Sequence, residues 1–341
     1  MPAQTGQPGR PPSPGRPPRS DERPNRLLET LYARREFAML DELAKAAGLK
    51  PSEASAALES LRRRGHRLES SPLHGIRLAR PVLIDSRLVE AGLKTRRAGR
   101  HVICFAQTDS TNDVAMSGAR QADADGLAVF AHAQRRGRGR LGRAWASPPG
   151  ANVLMSVLLV EPGQPLPHEA LTIAAGLAAA EAADEVCGAP CRLRWPNDVL
   201  LEGRKLAGVL VERRRGRGKT ATVIGIGLNV NAAPPASQIG RQAACLAGHA
   251  GEPVETNEVA RALLRRLDAW LTVLGRPGGA KRLHEAWKRS CGTLGMRLRV
   301  LCDGQVHQGR VVDVSPLEGL ELICDDNRRL HLPAERSSVV D

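Results

Sequence analysis

Aromatic residues are almost missing from this chain: Phe, Tyr and Trp make up 2% of its 341 residues. Its cores must therefore be built from Leu, Val, Ile and Ala. Cysteine offers no framework. The seven are scattered, odd in number and without a C-x-x-C pair, which argues for reduced thiols in a cytosol rather than disulfides or a zinc site. No apolar run suits a bilayer, since the most apolar helix candidate, residues 171–183, is too short and contains Glu181. Residues 1–24 hold eight prolines, several arginines and almost nothing apolar. Such a tail cannot bury enough surface to offset its ordering entropy, and it lacks the apolar segment of a secretory signal. These absences predict a soluble, cytoplasmic protein with no membrane partner and no internal repeat.

What is abundant is positive charge. The formal net charge is +14, much of it in two runs, residues 135–143 and 213–219, which suits anionic ligands or partners. The first run lies in Q-R-R-G-R-G-R-L-G-R-A-W at residues 134–145, after a strand-like segment at 127–133 and before Ser147-Pro148-Pro149-Gly150. Glycines let a backbone approach a ligand closely, and arginines present forks of donors suited to phosphate and carboxylate. Together they predict a mobile loop that folds over a polyanion. Gly137, Gly139 and Gly142 also satisfy G-x-G-x-x-G, but that fingerprint needs a helix opening at the loop, and two prolines and a glycine follow.

From Arg26 to about Arg80 the pattern is a small module. Leu27, Leu28 and Leu31 fit one helix face, Asp41 can cap a second helix, Gly48 supplies a turn, and Pro51 suits the first position of a third helix carrying Leu58 and Leu61 inward. Residues 66–78 read as two short strands around Ser71-Pro72 and Gly75. This resembles a winged helix-turn-helix. Candidate DNA contacts are Lys50, Ser52, Arg62, Arg63 and Arg67, although Glu53 and Glu59 on the third helix repel phosphate. The alternative is a module kept for packing or dimer contacts.

A larger α/β body follows. Residues 102–106 read as a strand, and 108–112 as a polar turn in which Asp109 or Ser110 could cap a helix at 113–120. A cap needs one side chain and this turn offers five, enough to hold a small polar ligand group as well. A strand at 152–160 and an Ala-rich helix at 168–187 precede W-P-N-D at 195–198. R-K-L-A-G at 204–208 leads into a strand, and I-G-I-G-L-N-V at 224–230 lies in another. Their antiparallel succession predicts a mixed sheet backed by helices. Lys205 stands just before an apolar strand. Gly218-Lys219-Thr220 reads as a basic hairpin turn, because a P-loop would need glycine where Arg213 stands. Amphipathic helices at 256–274 and 280–290 and alternating short strands from Gly295 complete an α+β chain ending in a small β-barrel.

S-T-N at 110–112, Q-x-x-G-R-G-R-x-G-R-x-W at 134–145, W-P-N-D at 195–198, R-K-L-A-G at 204–208 and G-x-G-L-N-V at 225–230 resemble, in order and spacing, the motifs of biotin–protein ligases. The flanking modules are similar to those of its bifunctional group, which also represses the biotin operon. The resemblance implies a winged helix at 25–80, a class II synthetase-like catalytic domain at 81–292 and an SH3-like domain at 293–341. It implies that biotin is activated by ATP to biotinyl-5'-AMP and passed to a lysine of the biotin carboxyl carrier protein of acetyl-CoA carboxylase. Mg²⁺ would accompany the nucleotide, with no metal ligand assigned, and operator DNA and a second copy of the chain would be further partners. Ser110, Thr111, Asn112, Gln134, Arg138, Gly139, Arg140 and Lys205 match biotin-binding positions. Gly137, Arg138, Arg140, Arg143, Trp145 and Asn229 match positions that hold the nucleotide, and Lys205, Arg140 and Asp198 are the candidate catalytic residues. Arg136 and Leu141 depart from the expected small and basic residues, and the segment with Pro234 and Pro235 lacks a tryptophan found in the repressor. A lipoate–protein ligase and a non-catalytic biotin sensor are the competing functions.

Overall fold

The computed structural model describes residues 21–340 apart from 122, 217, 240, 241, 316 and 317. Residues 1–20, most of the expected tail, lie outside the described residues. Contacts divide the chain into a unit ending at Leu78 and another beginning at Ala79.

The first unit consists of α1 (Arg23–Ala33), α2 (Leu40–Ala47), α3 (Pro51–Arg63) and an antiparallel pair, β1 (Leu68–Ser71) with β2 (Gly75–Leu78). The first helix starts inside the stretch expected to be tail, because Arg23 and Pro24 form its first turn and Pro24 is buried. Leu27, Leu28 and Leu31 pack with Leu43, Leu58 and Leu61, all nearly inaccessible. Asp41 does not cap α2: the cap position is Met39, and Asp41 sits in the first turn, where its charge still favours the positive helix end. Gly48 closes α2 at φ 64°, the left-handed conformation that glycine tolerates best. Pro51 opens α3, and Glu53 Oε2 accepts from Lys50 N at 2.9 Å. Lys50, Ser52, Arg62, Arg63 and Arg67 are all exposed, with Arg62 paired to Glu59.

The second unit opens with α4 (Ser86–Glu90), capped by Asp85, and continues through β3 (His101–Thr108), α5 (Thr111–Gly118), β4 (Leu127–Gln134), β5 (Val153–Glu161), α6 (His168–Cys187), β6 (Cys191–Arg194), β7 (Asp198–Leu201), β8 (Arg204–Arg215) and β9 (Thr220–Leu228). Short helices α7 (Ala236–Ile239) and α8 (Leu246–Ala250) lead to α9 (Thr256–Leu274) and α10 (Gly279–Ser290). The seven strands order as β3-β4-β5-β9-β8-β7-β6, with β3 and β4 parallel and the other neighbours antiparallel. The mixed sheet expected from the sequence is present. β6 and β7, on either side of the W-P-N-D turn, were not expected.

Strand alternation distributes the core. Val153, Met155, Val157, Ile224, Ile226 and Leu228 face the cluster that holds α6 and α9, whereas Leu158 and Val223 face Ala115 and Met116 of α5. Side chains two apart on a strand share a face, so one helix layer covers one side of the sheet while the short α5 covers only part of the other. The uncovered part becomes the site. α6 is buried around most of its circumference, as a helix between a sheet and another helix must be. The chain ends in a five-stranded antiparallel sheet, β10 (Arg297–Cys302), β11 (Gln305–Ser315), β12 (Gly319–Cys324), β13 (Arg329–Leu332) and β14 (Ser337–Val340), ordered β13-β12-β11-β10-β14.

Candidate active site

A cavity of about 500 Å³ opens on the face of the large sheet that α5 leaves bare, a size typical of small-molecule sites. Missing side chains shape its floor. Gly208 and Gly227 are paired across β8 and β9, and a Cβ at either would come within 2.8 Å and 2.3 Å of the Trp145 indole. A Cβ at Gly225 would come within 2.3 Å of Asn112 Oδ1. The glycine spacing of I-G-I-G-L-N thus places the isoleucines in the core and leaves the opposite face bare for a ring and a carboxamide.

At one end lies the polar turn. Ser110, Thr111 and Asn112 are buried, and helix α5 begins at Thr111, two residues earlier than expected. Ser110 occupies the cap position, yet its side chain makes no capping bond. Gln134, the last residue of β4, accepts through Oε1 from Thr111 N at 2.7 Å and from Thr111 Oγ1 at 3.0 Å. Beneath them Ser156 Oγ lies 2.5 Å from Asn112 Oδ1 and 2.7 Å from Thr111 Oγ1. Asn112 Nδ2 donates to Glu212 Oε2 at 2.7 Å.

Residues 134–145, expected to be mobile, fold as a hairpin. Gly139 N donates to Arg143 O at 2.6 Å and Trp145 N to Gly137 O at 2.9 Å. The tip includes Leu141 at φ 54° and Gly142 at φ 73°. The arginines divide into three groups. Arg135 and Arg136 bind Asp109. Arg138 grips Asp113 with two hydrogen bonds at 2.7 and 2.8 Å and also reaches Glu212 at 3.0 Å. These bonds raise the Arg138 pKa, and the Asp113 carboxyl is held below its usual range chiefly by its hydrogen bonds from Arg138. Arg140 and Arg143 meet only neutral partners among those described: Arg140 donates to Ala334 O and Ser337 O, and Arg143 to Ser338 Oγ at 3.0 Å. Burial lowers the Arg140 pKa, and the Asp198 charge opposes that shift; arginine remains charged regardless.

Lys205 is the second residue of β8, not a residue before the strand. Its Nζ lies 2.6 Å from Asp198 Oδ1 and 5.3 Å from the Trp145 ring centre, while Arg194 holds the other Asp198 oxygen at 3.0 Å. Among the described residues, three that line the cavity carry a buried polar atom without a partner: Trp145 Nε1, Trp195 Nε1 and Asn229 Oδ1. An unsatisfied buried group costs about 1–3 kcal/mol, a cost that a bound ligand with matching groups removes.

The profile of the Biotin/lipoate A/B protein ligase family matches residues 104–231. The bifunctional ligase/repressor BirA of Bacillus subtilis is 32% identical over 275 residues, covering 78% of this chain and 83% of that protein. The biotin–[acetyl-CoA-carboxylase] ligase of Mycobacterium tuberculosis is 33% identical over 267 residues, covering 76% of this chain and 94% of its own. This chain belongs to the biotin–protein ligase family. A solved biotin protein ligase from Aquifex aeolicus, in complex with biotin and ATP, has a similar fold, with a TM-score of 0.60 at 26% identity over 71% of this chain and 99% of that one.

The ligase fold gathers nearly all of the residues singled out from the motifs. Ser110, Thr111, Asn112, Gln134, Arg138, Gly139, Arg140, Arg143, Trp145, Asp198, Lys205 and Asn229 all line the one cavity. Gly137 does not line it; its carbonyl holds the hairpin closed instead, and a Cβ there would meet Trp145 O at 2.7 Å. The sequence reading missed Ser156, Glu212, Asp113 and Arg194, as well as the cavity wall supplied by Ser338, Val339 and Val340 of β14. Period-2 register from Gly225 would have pointed to Ser156, its partner across the ladder. Nothing in the pattern of S-S-V-V announces a wall residue.

Proposed function

We propose that this ligase activates biotin with ATP and transfers it to a lysine of a biotin carboxyl carrier protein, with the ring and the anionic groups at opposite ends of the cavity. The polarity of the cavity carries the reading. At the Ser110–Asn112 end the Arg138 charge is taken up by two carboxylates and is not offered to an anion, which suits an uncharged ureido ring with hydrogen-bonding edges. Toward Lys205, Arg140 and Arg143, Asp198 is the one carboxylate among the described lining residues, which suits a carboxylate beside phosphates. Asn229 and Trp145, each with an unpartnered polar atom, are assigned to the nucleotide.

The chemistry follows from that polarity. The biotin carboxylate must attack the α-phosphate, one anion approaching another. Arg140 and Lys205 reduce that repulsion and stabilise the charge developing at phosphorus. The hairpin with Gly139 and Trp145 excludes water from the resulting anhydride. An incoming lysine amine must lose its proton, and Asp198 is the positioned carboxylate that orients or accepts from it. Mg²⁺ would accompany the nucleotide's phosphates; among the described residues no three His, Cys, Asp or Glu side chains gather to hold a metal. Biotin-dependent ATP–pyrophosphate exchange with carrier labelling tests the reading. Exchange with lipoate but not biotin would overturn it, and operator binding without transfer would leave only a sensor.

We read residues 25–80 as a winged helix, 81–292 as the catalytic domain and 293–341 as an SH3-like domain. A repressor role is favoured by three helices followed by a hairpin, with exposed Lys50, Arg62, Arg63 and Arg67 and by the bifunctional relative. Operator DNA and a homodimer belong to that reading. A gel shift with the promoter of the biotin genes, with and without biotin and ATP, tests it. ATP and an intracellular carrier as substrates support the cytoplasmic assignment, and no helix among the described residues is long and apolar enough to cross a membrane.

A further inference from the structure

Arg138 has the motif position of an anion ligand but not the surroundings of one. Its two terminal nitrogens make four hydrogen bonds, all to carboxylate oxygens of Asp113 on α5 and Glu212 on β8. One positive charge between two negative ones leaves the trio anionic, which disfavours a phosphate. The same Glu212 Oε2 that accepts from Arg138 at 3.0 Å accepts from Asn112 Nδ2 at 2.7 Å. Asn112 in turn is fixed by Ser156 Oγ at 2.5 Å, a hydroxyl with no solvent exposure. A continuous polar chain therefore runs from under the turn, through Asn112 and Glu212, to the arm of the hairpin.

We propose that Asp113 and Glu212 are positioning residues that fasten Arg138, and with it the hairpin, across the turn expected to hold the ureido ring, so that filling the turn and closing the hairpin are coupled through Asn112. This rests on the ligase reading for its substrate but not for its mechanics. Asp113 is about half exposed and Arg138 and Glu212 about a third, so each ion pair alone is modest. The bidentate geometry and the shared carboxylate make the set stronger than its parts.

The test uses the full chain without ligands. Residues 135–143 contain five arginines, so trypsin cleavage there, located by mass spectrometry, reports hairpin opening. Glu212→Gln and Asp113→Asn should each speed cleavage about threefold and the pair about tenfold. With biotin and ATP, the lifetime of the enzyme-bound adenylate should shorten in the same order. Cleavage unchanged in the Asp113→Asn, Glu212→Gln pair overturns the proposal. So does a longer adenylate lifetime in Glu212→Gln, the result expected if Glu212 merely withheld Arg138 from the phosphate. A parent protein that forms no biotinyl-adenylate would refute the ligase reading, whereas the cleavage ranking would still decide the fastening.

Discussion

The Trp145 indole occupies the space that a side chain at Gly227 would need, with a Cβ there only 2.3 Å from the ring. Gly227 is thus required for its small size. Gly227→Ala should force the ring off the sheet, and overpacking of this kind costs about 1–3 kcal/mol. Exchange activity should fall about tenfold as the ring leaves the nucleotide site, a loss of about 1.4 kcal/mol in transition-state stabilisation. Trp145→Ala combined with Gly227→Ala should lose less than the sum of the two, because the smaller ring site admits the methyl. Additive losses in that cycle would show that the ring and the glycine do not constrain each other.

Lys205 is placed to act on charge, not on packing. Removing it leaves Asp198 still held by Arg194 at 3.0 Å, so Lys205→Ala should shift Tm by only about 2 °C. Biotin-dependent ATP–pyrophosphate exchange should fall about a hundredfold, the scale for one lost charge-stabilising donor. A Tm loss as large as the activity loss implies would mean that Lys205 serves the fold instead.

Much of this arrangement is legible in the sequence, and the reason is periodicity. The bounds of α6 and α9 coincide with the apolar patterns at 168–187 and 256–274, because long periodic segments leave few alternatives. The turn, the hairpin and the W-P-N-D segment were marked by polar residues beside Gly and Pro. What sequence could not show is which charges neutralise each other. Asp113 and Asp109 looked like helix-start residues, yet both are spent on arginines of the hairpin. Glu212 looked like an ordinary strand residue. Its role depends on β8 pairing with β9 and on α5 lying over that pair, a matter of tertiary register. The contacts of Arg140 and Arg143 with Ser337 and Ser338 of β14 join residues almost two hundred positions apart, beyond any local pattern.

Asp268 on α9 ties down the segment that leads into β3. Its carboxylate accepts from Arg96 N, Arg97 N and Ala98 N at 2.8, 2.7 and 2.9 Å, and the residue is 6% exposed. Asp268→Ala would leave these amides without a partner, a cost of about 3 kcal/mol or more when charge-assisted bonds to buried groups are lost. For a unit of this size, that corresponds to a fall in Tm of about 8 °C. Asp268→Asn, which keeps an acceptor, should lose roughly half as much. A Tm unchanged in Asp268→Ala would show that the three bonds contribute nothing to stability.

Cys104 gives a pH-dependent readout of burial in the sheet. Its Sγ lies 3.3 Å from Ile84 O and 3.5 Å from His132 Nε2, a neighbourhood that could suggest an activated thiol. Burial, assisted by the nearby Asp85 charge, pushes the thiol up from 9.0 to about 12 instead. At pH 8 the thiolate fraction is then on the order of one in ten thousand, so iodoacetamide should label Cys104 very slowly in the native protein and readily in denaturant. The sign for stability follows from the same shift. Below pH 9 the thiol is protonated in both folded and unfolded chains and contributes no pH dependence. From pH 9 toward 12 the unfolded chain releases the proton first, so stability should decline with rising pH, and Cys104→Ala should show a shallower decline over that interval. Rapid labelling of native Cys104 at pH 8, or an identical alkaline slope in Cys104→Ala, would contradict a thiol held neutral by its surroundings.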